Sequence, residues 1–339
     1  MNLGVIIPAK NEEMGLGKTI TSILVANIRP ADIYVIDDGS SDRTGMIASS
    51  LGVNVLRNDV NQGKARSIQL VCDKFKLLSR YGGICLMDAD TEVNPLYFQE
   101  VHKGFKDDKV IAVCGRPMSV PYNWLTAYRC FGYFWTHLIY RGAQSKMGVI
   151  NVAPGCASSY RSEAFQQLDW TKDTLVEDMD VTIQIHRKGL GKIVYQPKAL
   201  VYTQDPRTLR DYIKQMNRWY TGTWQIAKKH RIGPTWKKID LEFKLLMGEG
   251  LLFALSILIL PIVAFWHPVR CLEILALDMS LTFIVAGFCG VTDRRWDVVL
   301  AVPLYTLMRF IDCWVLISSF LSTIVLRRRS DVWFSVRRY

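Results

Sequence analysis

The stretch Leu3-Gly-Val-Ile-Ile-Pro8 is the first of four short apolar runs that decide the fold. The other three are four to six residues long and similarly apolar, and they lie at 32–37, 53–56 and 83–87. Between the runs, apolar residues recur at helical spacing over 15–27, 42–51 and 64–79. Because strand and helix alternate in this way, the sequence predicts an α/β fold with a Rossmann-like, mostly parallel, doubly wound sheet.

Acidic residues follow two of the predicted strands at the point where each strand ends. Asp37 and Asp38 come after the second strand, and Asp88 and Asp90 come after the fourth. Ligands of doubly wound sheets bind beyond the carboxyl ends of the strands, and paired carboxylates are ligands that Mg²⁺ and Mn²⁺ prefer. Lys64 opens the third helix and offers a cation suited to a diphosphate. Taken singly, each of these features has a structural explanation as well. Asp88 and Asp90 are also typical of a turn or a helix cap, Asp37 and Asp38 of a helix cap, and Lys64 of an exposed lysine at the start of a helix.

The composition separates this chain from several classes of protein. Hydrophobic residues make up 50% of its 339 residues and charged residues 22%, which excludes a disordered chain. The net charge is +11, but the basic residues flank apolar segments and form no dense stripe, which favours a lipid surface over nucleic acid. The eight cysteines contain no CxxC pair. We therefore expect free thiols in a reducing compartment, with neither zinc sites nor disulfides.

The apolar excess lies in the last third of the chain and predicts a membrane region at 243–326. Residues 250–266 carry no charge and, with the preceding turn, are long enough to cross a bilayer. A second candidate, 274–292, is interrupted only by Asp278. The third stretch contains Arg309 and Asp312, whose i, i+3 spacing predicts that they neutralise each other. Two spans are expected, with a third element that either spans or lies at the interface.

The predicted domain organisation follows from the concentration of apolar residues in the last third of the chain. Residues 1–240 are expected to form a catalytic domain on the cytosolic side of the plasma membrane, and 327–339 a basic tail. Within the first part, 122–140 is rich in aromatic residues and predicts an interfacial helix or, alternatively, a core helix; 207–240 is a second candidate for the interface.

Six motifs follow one another in order: VIIPAKNEE (5–13), VIDDGSSDRT (35–44), NQGKARS (61–67), MDAD (87–90), VEDMD (176–180) and QMNRW (215–219). Together they resemble the processive branch of the family-2 glycosyltransferases, which includes cellulose, chitin, hyaluronan and poly-N-acetylglucosamine synthases. The resemblance implies a GT-A fold, a UDP-sugar donor, a Mg²⁺ or Mn²⁺ ion and inversion at the anomeric carbon.

The resemblance also implies where the donor binds. The loop from Ala9 to Glu12 would line the nucleotide site, with Lys64 nearby. Asp38, together with Asp37, would contact the uracil ring.

The same resemblance implies a metal site and a general base. Asp88 and Asp90 would be the D-x-D pair, with Asp90 as the direct metal ligand. Asp178 would be the base, next to Glu177 in a motif whose first residue is Val176 where the family often has Thr.

A third motif and one loop complete the implied site. Gln215, Arg218 and Trp219 form QxxRW, whose spacing puts all three on one face of a helix. Arginine suits a leaving diphosphate, and tryptophan offers a flat apolar face to an acceptor sugar. The segment 153–161 resembles the part of the family that lies beside the acceptor, and is equally typical of a glycine-containing connector.

Three functions are consistent with these features. The leading hypothesis is a membrane-embedded, metal-dependent inverting glycosyltransferase that elongates a β-linked polysaccharide. The alternative in the same family is transfer of one sugar to a lipid-linked acceptor such as a polyprenyl phosphate. A non-catalytic nucleotide-sugar-binding protein would be expected to lack the base or a metal ligand, and both are present. The donor sugar, partner subunits and an oligomer stay open.

Overall fold

The protein is described by a computed structural model that covers residues 1–171 and 173–328. The chain forms two compact units. The first comprises 1–118 and 137–204, and the second comprises 119–136 and the described residues from 205 onward. The segments predicted as interfacial helices, 122–140 and 207–240, thus contribute to the second unit in large part. Most of the predicted basic tail lies outside the described residues.

The first unit contains a mixed sheet of eight strands: β1 Leu3–Ala9, β2 Ile33–Asp38, β3 Asn54–Asn58, β4 Gly83–Leu86, β5 Thr91–Val93, β6 Val110–Ser119, β7 Ser158–Arg161 and β8 Lys192–Thr203. Their order across the sheet is β3-β2-β1-β4-β7-β6-β8-β5. Strands β3, β2, β1 and β4 are parallel, whereas β7 runs antiparallel to both β4 and β6, and β5 runs antiparallel to β8. The predicted parallel arrangement is therefore confirmed for half of the sheet, and the remaining strands make it mixed.

The α-helices of the described residues are, in chain order, α1 Leu16–Val25, α2 Thr44–Ser50, α3 Lys64–Phe75, α4 Leu77–Arg80, α5 Tyr97–Gly104, α6 Trp124–Tyr133, α7 Arg141–Met147, α8 Ser162–Phe165, α9 Glu177–Lys188, α10 Leu209–Lys229, α11 Lys238–Trp266, α12 Pro268–Asp293, α13 Asp297–Leu300 and α14 Val302–Phe320. A 3₁₀ turn at Pro30–Asp32 and π-helical segments at Phe134–Tyr140 and Leu321–Val325 complete them. The helix predicted over 64–79 is divided because Lys76 adopts a left-handed conformation with a φ of 51°.

Two apolar clusters cover the two faces of the sheet. Successive side chains of a strand point to opposite faces, so Val5 and Ile7 belong to one cluster and Ile6 to the other. Each of these three side chains is fully buried. Burial on both faces explains why the first strand reads as a continuous apolar run.

The second unit contains three helices that are long and apolar enough to cross a membrane, by length and composition: Lys238–Trp266, Pro268–Asp293 and Val302–Val325. The first two agree with the predicted spans, and the third is long enough to span as well. All eight cysteines are free, and all but Cys156 are buried, as the sequence predicts.

The charges in the apolar helices find other partners than their spacing predicts. Arg309 forms an ion pair with Asp278 of α12 and donates a 2.7 Å hydrogen bond to Thr282. The carboxylate of Asp312 instead accepts 2.6 Å hydrogen bonds from the tyrosines of α6 and α10. The prediction of an Arg309–Asp312 pair was therefore wrong, because tertiary packing offers each group a better-placed partner on another helix.

Candidate active site

The carboxyl ends of β1, β2 and β4 meet at one edge of the sheet. Ala9 lies opposite Asp37 in the parallel register of β1 and β2, and the Met87 amide that follows β4 donates to Ile6 of β1. Asp88 and Asp90 come directly after this point in the chain. The parallel register therefore brings the two acidic clusters to the same edge, as the sequence predicts.

The loop that follows β1 is tied to the loop that follows β2. The backbone amide of Glu12 donates a 2.8 Å hydrogen bond to the Thr44 hydroxyl, and the Glu12 carbonyl accepts from the amides that begin α1. Glu12 is buried. These contacts hold the segment from Ala9 to Glu12 in one place at the sheet edge.

Asp38 organises the loop that precedes α3. Its Oδ1 accepts hydrogen bonds from the Asn58 amide at 2.8 Å and from the Gln62 backbone at 2.7 Å, and its Oδ2 accepts one from the Gly63 backbone at 2.8 Å. Asp37 accepts from the Ser40 backbone at 2.9 Å. Both carboxylates are buried. A carboxylate offers about four acceptor positions, so Asp38 has room for about one more donor.

Lys64 joins two acidic motifs that lie far apart in the sequence. Its Nζ lies 2.7 Å from Oδ1 of Asp88 and 2.9 Å from Oε1 of Glu177. Burial opposes the ammonium charge, but the two carboxylates outweigh it and hold the pKa of Lys64 well above its usual range. Lys64 is therefore a fixed cation at the D-x-D motif.

Asp178 occupies the first turn of α9, where the helix dipole favours a carboxylate. Its Oδ2 accepts a 3.1 Å hydrogen bond from the Gly155 backbone, and its Oδ1 accepts one of 2.8 Å from the Met179 backbone. Burial and the neighbouring Glu177 charge raise the pKa of Asp178 to about 6, against the opposing effects of Lys64 and the two amides. At neutral pH this carboxyl is mostly ionised and is a stronger base than an ordinary aspartate.

The segment 153–161 contacts Asp178 through Gly155. Gly155 leaves little space: a Cβ there would lie 2.9 Å from Nζ of Lys64 and 3.7 Å from Cβ of Asp178. Burial and the charges of Asp88, Asp90 and Asp178 raise the pKa of the Cys156 thiol, which places this cysteine among the acidic residues. A Pro-Gly-Cys sequence carries no signal for that proximity, because the acidic residues come from other parts of the chain.

Asp88 and Asp90 suit a hard divalent cation. They supply carboxylate oxygens, both are only partly buried, and Asp88 already attracts the Lys64 ammonium. Oxygen donors beside an accumulation of negative charge are what Mg²⁺ and Mn²⁺ prefer. The residues present therefore fit the implied metal.

Among the described residues of the second unit lies another group of potential metal ligands. The ligand atoms of Cys130, Cys289 and Asp293 lie within 4.8 Å of one another. The guanidinium of Arg295 interacts electrostatically with both thiols. Two of the three ligands are thiols, which a hard cation such as Mg²⁺ does not prefer, so we do not assign the implied metal to this group.

The QxxRW residues belong to α10 of the second unit. Gln215 is buried, whereas Arg218 and Trp219 are half-buried. The indole ring of Trp219 lies against Arg129 of α6, whose guanidinium carbon is 4.7 Å from the ring centroid. The sequence predicts the shared face of the motif but contains no signal for this contact.

A family profile described as Glycosyl transferase family 2 matches residues 4–169, the range that contains the D-x-D motif, Lys64 and the glycine that binds Asp178. Residues 4–169 form a family-2 glycosyltransferase domain. The chain is also 30% identical over 234 residues to the hyaluronan synthase of Streptococcus pyogenes, covering 63% of this chain and 55% of that protein. It is 28% identical over 253 residues to the poly-beta-1,6-N-acetyl-D-glucosamine synthase of Staphylococcus epidermidis, covering 72% of this chain and 60% of that protein. The matched part thus spans little more than half of the length of these relatives.

A solved structure extends the likeness of this glycosyltransferase domain to most of the chain. A mannosyltransferase from Pyrobaculum calidifontis, determined in complex with GDP-Man and Mn²⁺, superimposes with a TM-score of 0.62 over 90% of this chain and 87% of that one. The two are 17% identical, so the likeness concerns the fold. It confirms the predicted GT-A fold.

Proposed function

We propose that this protein is a membrane-embedded inverting glycosyltransferase that adds sugars from a UDP-sugar donor to a growing β-linked polysaccharide. The observation that carries the proposal is the carboxylate of Asp178, held at the start of α9 with a raised pKa beside the Lys64–Asp88 pair of a family-2 domain. The two polysaccharide synthases that the chain resembles support the class of product.

In the proposed reaction Asp178 is the general base. It accepts the proton of an acceptor hydroxyl as that oxygen attacks the anomeric carbon from the side opposite the UDP leaving group. The bond from carbon to the diphosphate oxygen breaks in the same displacement, and UDP leaves with the electron pair. One displacement inverts the configuration, so an α-linked donor yields a β-linked product.

The proposed roles of the remaining acidic residues follow from their charges. Asp88 and Asp90 would hold Mg²⁺ or Mn²⁺, which when bound supplies positive charge to the diphosphate of the donor. Lys64 keeps a permanent cation at Asp88 and Glu177 and so limits the repulsion among the carboxylates. Asp37 and Asp38 hold the loops on which the nucleotide would rest.

The base assignment is tested by Asp178→Asn, which preserves shape and removes the proton acceptor. We expect transfer to fall at least 1,000-fold, while the Kd for UDP, measured by calorimetry in detergent, changes less than threefold. Asp73→Asn changes an exposed carboxylate of α3 and is the matched control. Loss of UDP binding together with transfer would refute the role of base.

The product distinguishes polymer synthesis from single transfer. Purified protein is incubated with Mn²⁺ or Mg²⁺ and a panel of UDP-glucose, UDP-N-acetylglucosamine and UDP-glucuronic acid, and the products are sized. A ladder of oligosaccharides supports the proposal. A single sugar on a polyprenyl phosphate would support the alternative, and UDP binding without any product would support a non-catalytic protein.

The proposed location is the plasma membrane, with the catalytic domain on the cytosolic side. The three apolar helices and the likeness to polysaccharide synthases support it. Cysteine labelling in intact cells, with single cysteines introduced at Lys74 and Arg328, tests the two sides. Labelling of position 74 by a membrane-impermeant reagent would contradict the proposed orientation.

A further inference from the structure

Arg129 of α6 lies beneath the tryptophan of the QxxRW motif. Its guanidinium carbon is 4.7 Å from the centroid of the Trp219 ring, and the Arg129 side chain is buried. Trp219 itself remains partly exposed. One side chain is thus a buried support, and the other keeps part of its surface available for a ligand.

Three partners restrain the guanidinium of Arg129. Nε donates to Oδ1 of Asp205 at 3.1 Å, Nη2 donates to the Tyr133 hydroxyl at 2.8 Å, and Nη1 approaches the sulfur of Met216 at 3.5 Å. Tyr133 closes the set by donating to the same Asp205 oxygen at 3.1 Å. Because donors of the planar group point in three directions, the guanidinium plane has little freedom to rotate.

The surroundings of Arg129 stabilise its positive charge. Burial opposes the charged form, but Tyr133 and Asp205 outweigh it and raise the pKa of Arg129. Asp205 is itself buried, so the two charges form a buried ion pair. Such a pair contributes little to the free energy of unfolding compared with an apolar pair of the same volume. Stability alone therefore does not explain why Arg129 and Asp205 are charged.

A second set of contacts anchors the helices that carry these residues. Tyr212 of α10 presents its ring at 5.9 Å from the Arg129 guanidinium, and its hydroxyl donates to Asp312 of α14 at 2.6 Å. Tyr128 of α6 donates to the other oxygen of the same carboxylate at 2.6 Å. Helices α6 and α10 are therefore held in one relative position, and with them the contact between Arg129 and Trp219.

We propose that Arg129, held by Asp205, is a positioning residue that fixes the plane of the Trp219 indole for stacking of the acceptor sugar. This inference rests on the proposed function, in which Trp219 receives the acceptor. A ring that is already fixed loses less side-chain entropy when a sugar binds, so the acceptor binds more tightly and in one orientation. Arg129, Asp205 and Trp219 are not among the residues proposed to hold the donor, the metal or the transferred proton, so we expect the contact to affect the acceptor selectively.

The first test separates acceptor binding from donor binding. Arg129→Lys keeps the charge opposite Asp205 but removes the planar group, and Arg129→Met with Asp205→Asn removes both charges together. We expect the KM for an oligosaccharide acceptor to rise about threefold in the former and about tenfold in the latter, while the Kd for UDP changes less than twofold. Arg210→Met, at an exposed arginine of α10, is the matched control and should leave both values unchanged.

The second test asks whether Arg129 acts through Trp219. In a Trp219→Ala background, adding Arg129→Lys should raise the acceptor KM no further, because the ring that it positions is gone. An additional threefold loss would overturn the inference. If Trp219→Ala alone leaves acceptor KM unchanged, the role of Trp219 in the proposed function fails instead.

A third measurement needs no activity. In protein labelled with 5-fluorotryptophan, the ¹⁹F resonance that disappears in Trp219→Phe belongs to Trp219. We expect one narrow line in the unaltered protein, and a shifted and broadened line in Arg129→Lys, because the ring gains alternative orientations. An unchanged line would overturn the inference even if all panel donors failed to give product.

Discussion

Replacing Lys64 by Met should shift the pH dependence of transfer. Lys64 and Asp178 are neighbours, because a Cβ at Gly155 would lie 2.9 Å from Nζ of the lysine and 3.8 Å from Oδ2 of the aspartate. These distances put Nζ and Oδ2 within about 7 Å of each other, and opposite unit charges at that separation interact by roughly 2.4 kcal/mol at an effective dielectric constant of about 20, which equals nearly two pKa units. Asp88 and Glu177 offset part of the lysine charge, so we expect a shift of about one unit.

The direction of the shift follows from the proposed role of Asp178 as the general base. Asp178 must be ionised to accept a proton, so transfer rises with pH through its pKa of about 6. Lys64 lowers that pKa, and its removal should move the rise to about pH 7. At pH 7 the ionised fraction would then fall from about 90% to about half.

The assay is the pH profile of kcat/KM for the donor, from pH 5 to 9 at a fixed metal concentration. Profiles are normalised to their plateaus, so that a lower maximum rate in Lys64→Met does not hide the midpoint. Lys74→Met removes an exposed lysine of the same helix and should leave the midpoint unchanged. A midpoint in Lys64→Met equal to that of the unaltered protein would refute the electrostatic coupling between Lys64 and Asp178.

Two further substitutions test other parts of the structure. Gly155→Ala should lower kcat by about tenfold with little change in Tm, because its methyl group would meet Nζ of Lys64 at 2.9 Å and displace that flexible side chain. Gly142→Ala is the control, since the added methyl group would have open space around it. Equal activity of the two variants would contradict the argument. Arg309→Met should lower the Tm in detergent by leaving the Asp278 carboxylate unpaired, at a cost of about 2–3 kcal/mol. Adding Asp278→Asn should recover most of that loss, and a double variant as unstable as the single one would show that the ion pair is not the cause.

The first half of the sheet could be predicted because it is encoded locally. Strands β1 to β4 agree with the predicted runs within one or two residues, and the acidic motifs follow the strands as expected. Buried parallel strands read as continuous apolar segments, so no knowledge of their neighbours is needed to find them. The direction of β7 could not be found in this way, because it depends on which strand the chain returns to.

The sequence singles out the residues of the candidate site by motif but does not predict the contacts between them. The sequence identifies Asp88, Asp178 and Lys64 by motif, but not that the lysine pairs with Asp88 and Glu177. It also contains no sign that the Gly155 backbone donates a hydrogen bond to Asp178. Those contacts join residues that are far apart in the chain, and no local period encodes them.

The sequence by itself determined the alternation of strands and helices, the acidic residues at the strand ends and the apolar helices, since each depends on the spacing of residues along a single element. Only the tertiary structure decided which charges meet: Arg309 with Asp278 instead of Asp312, and Arg129 with Asp205 beneath Trp219. The physical reason is that a buried charge must find a partner within a few ångströms, and packing brings that partner from another element of the fold.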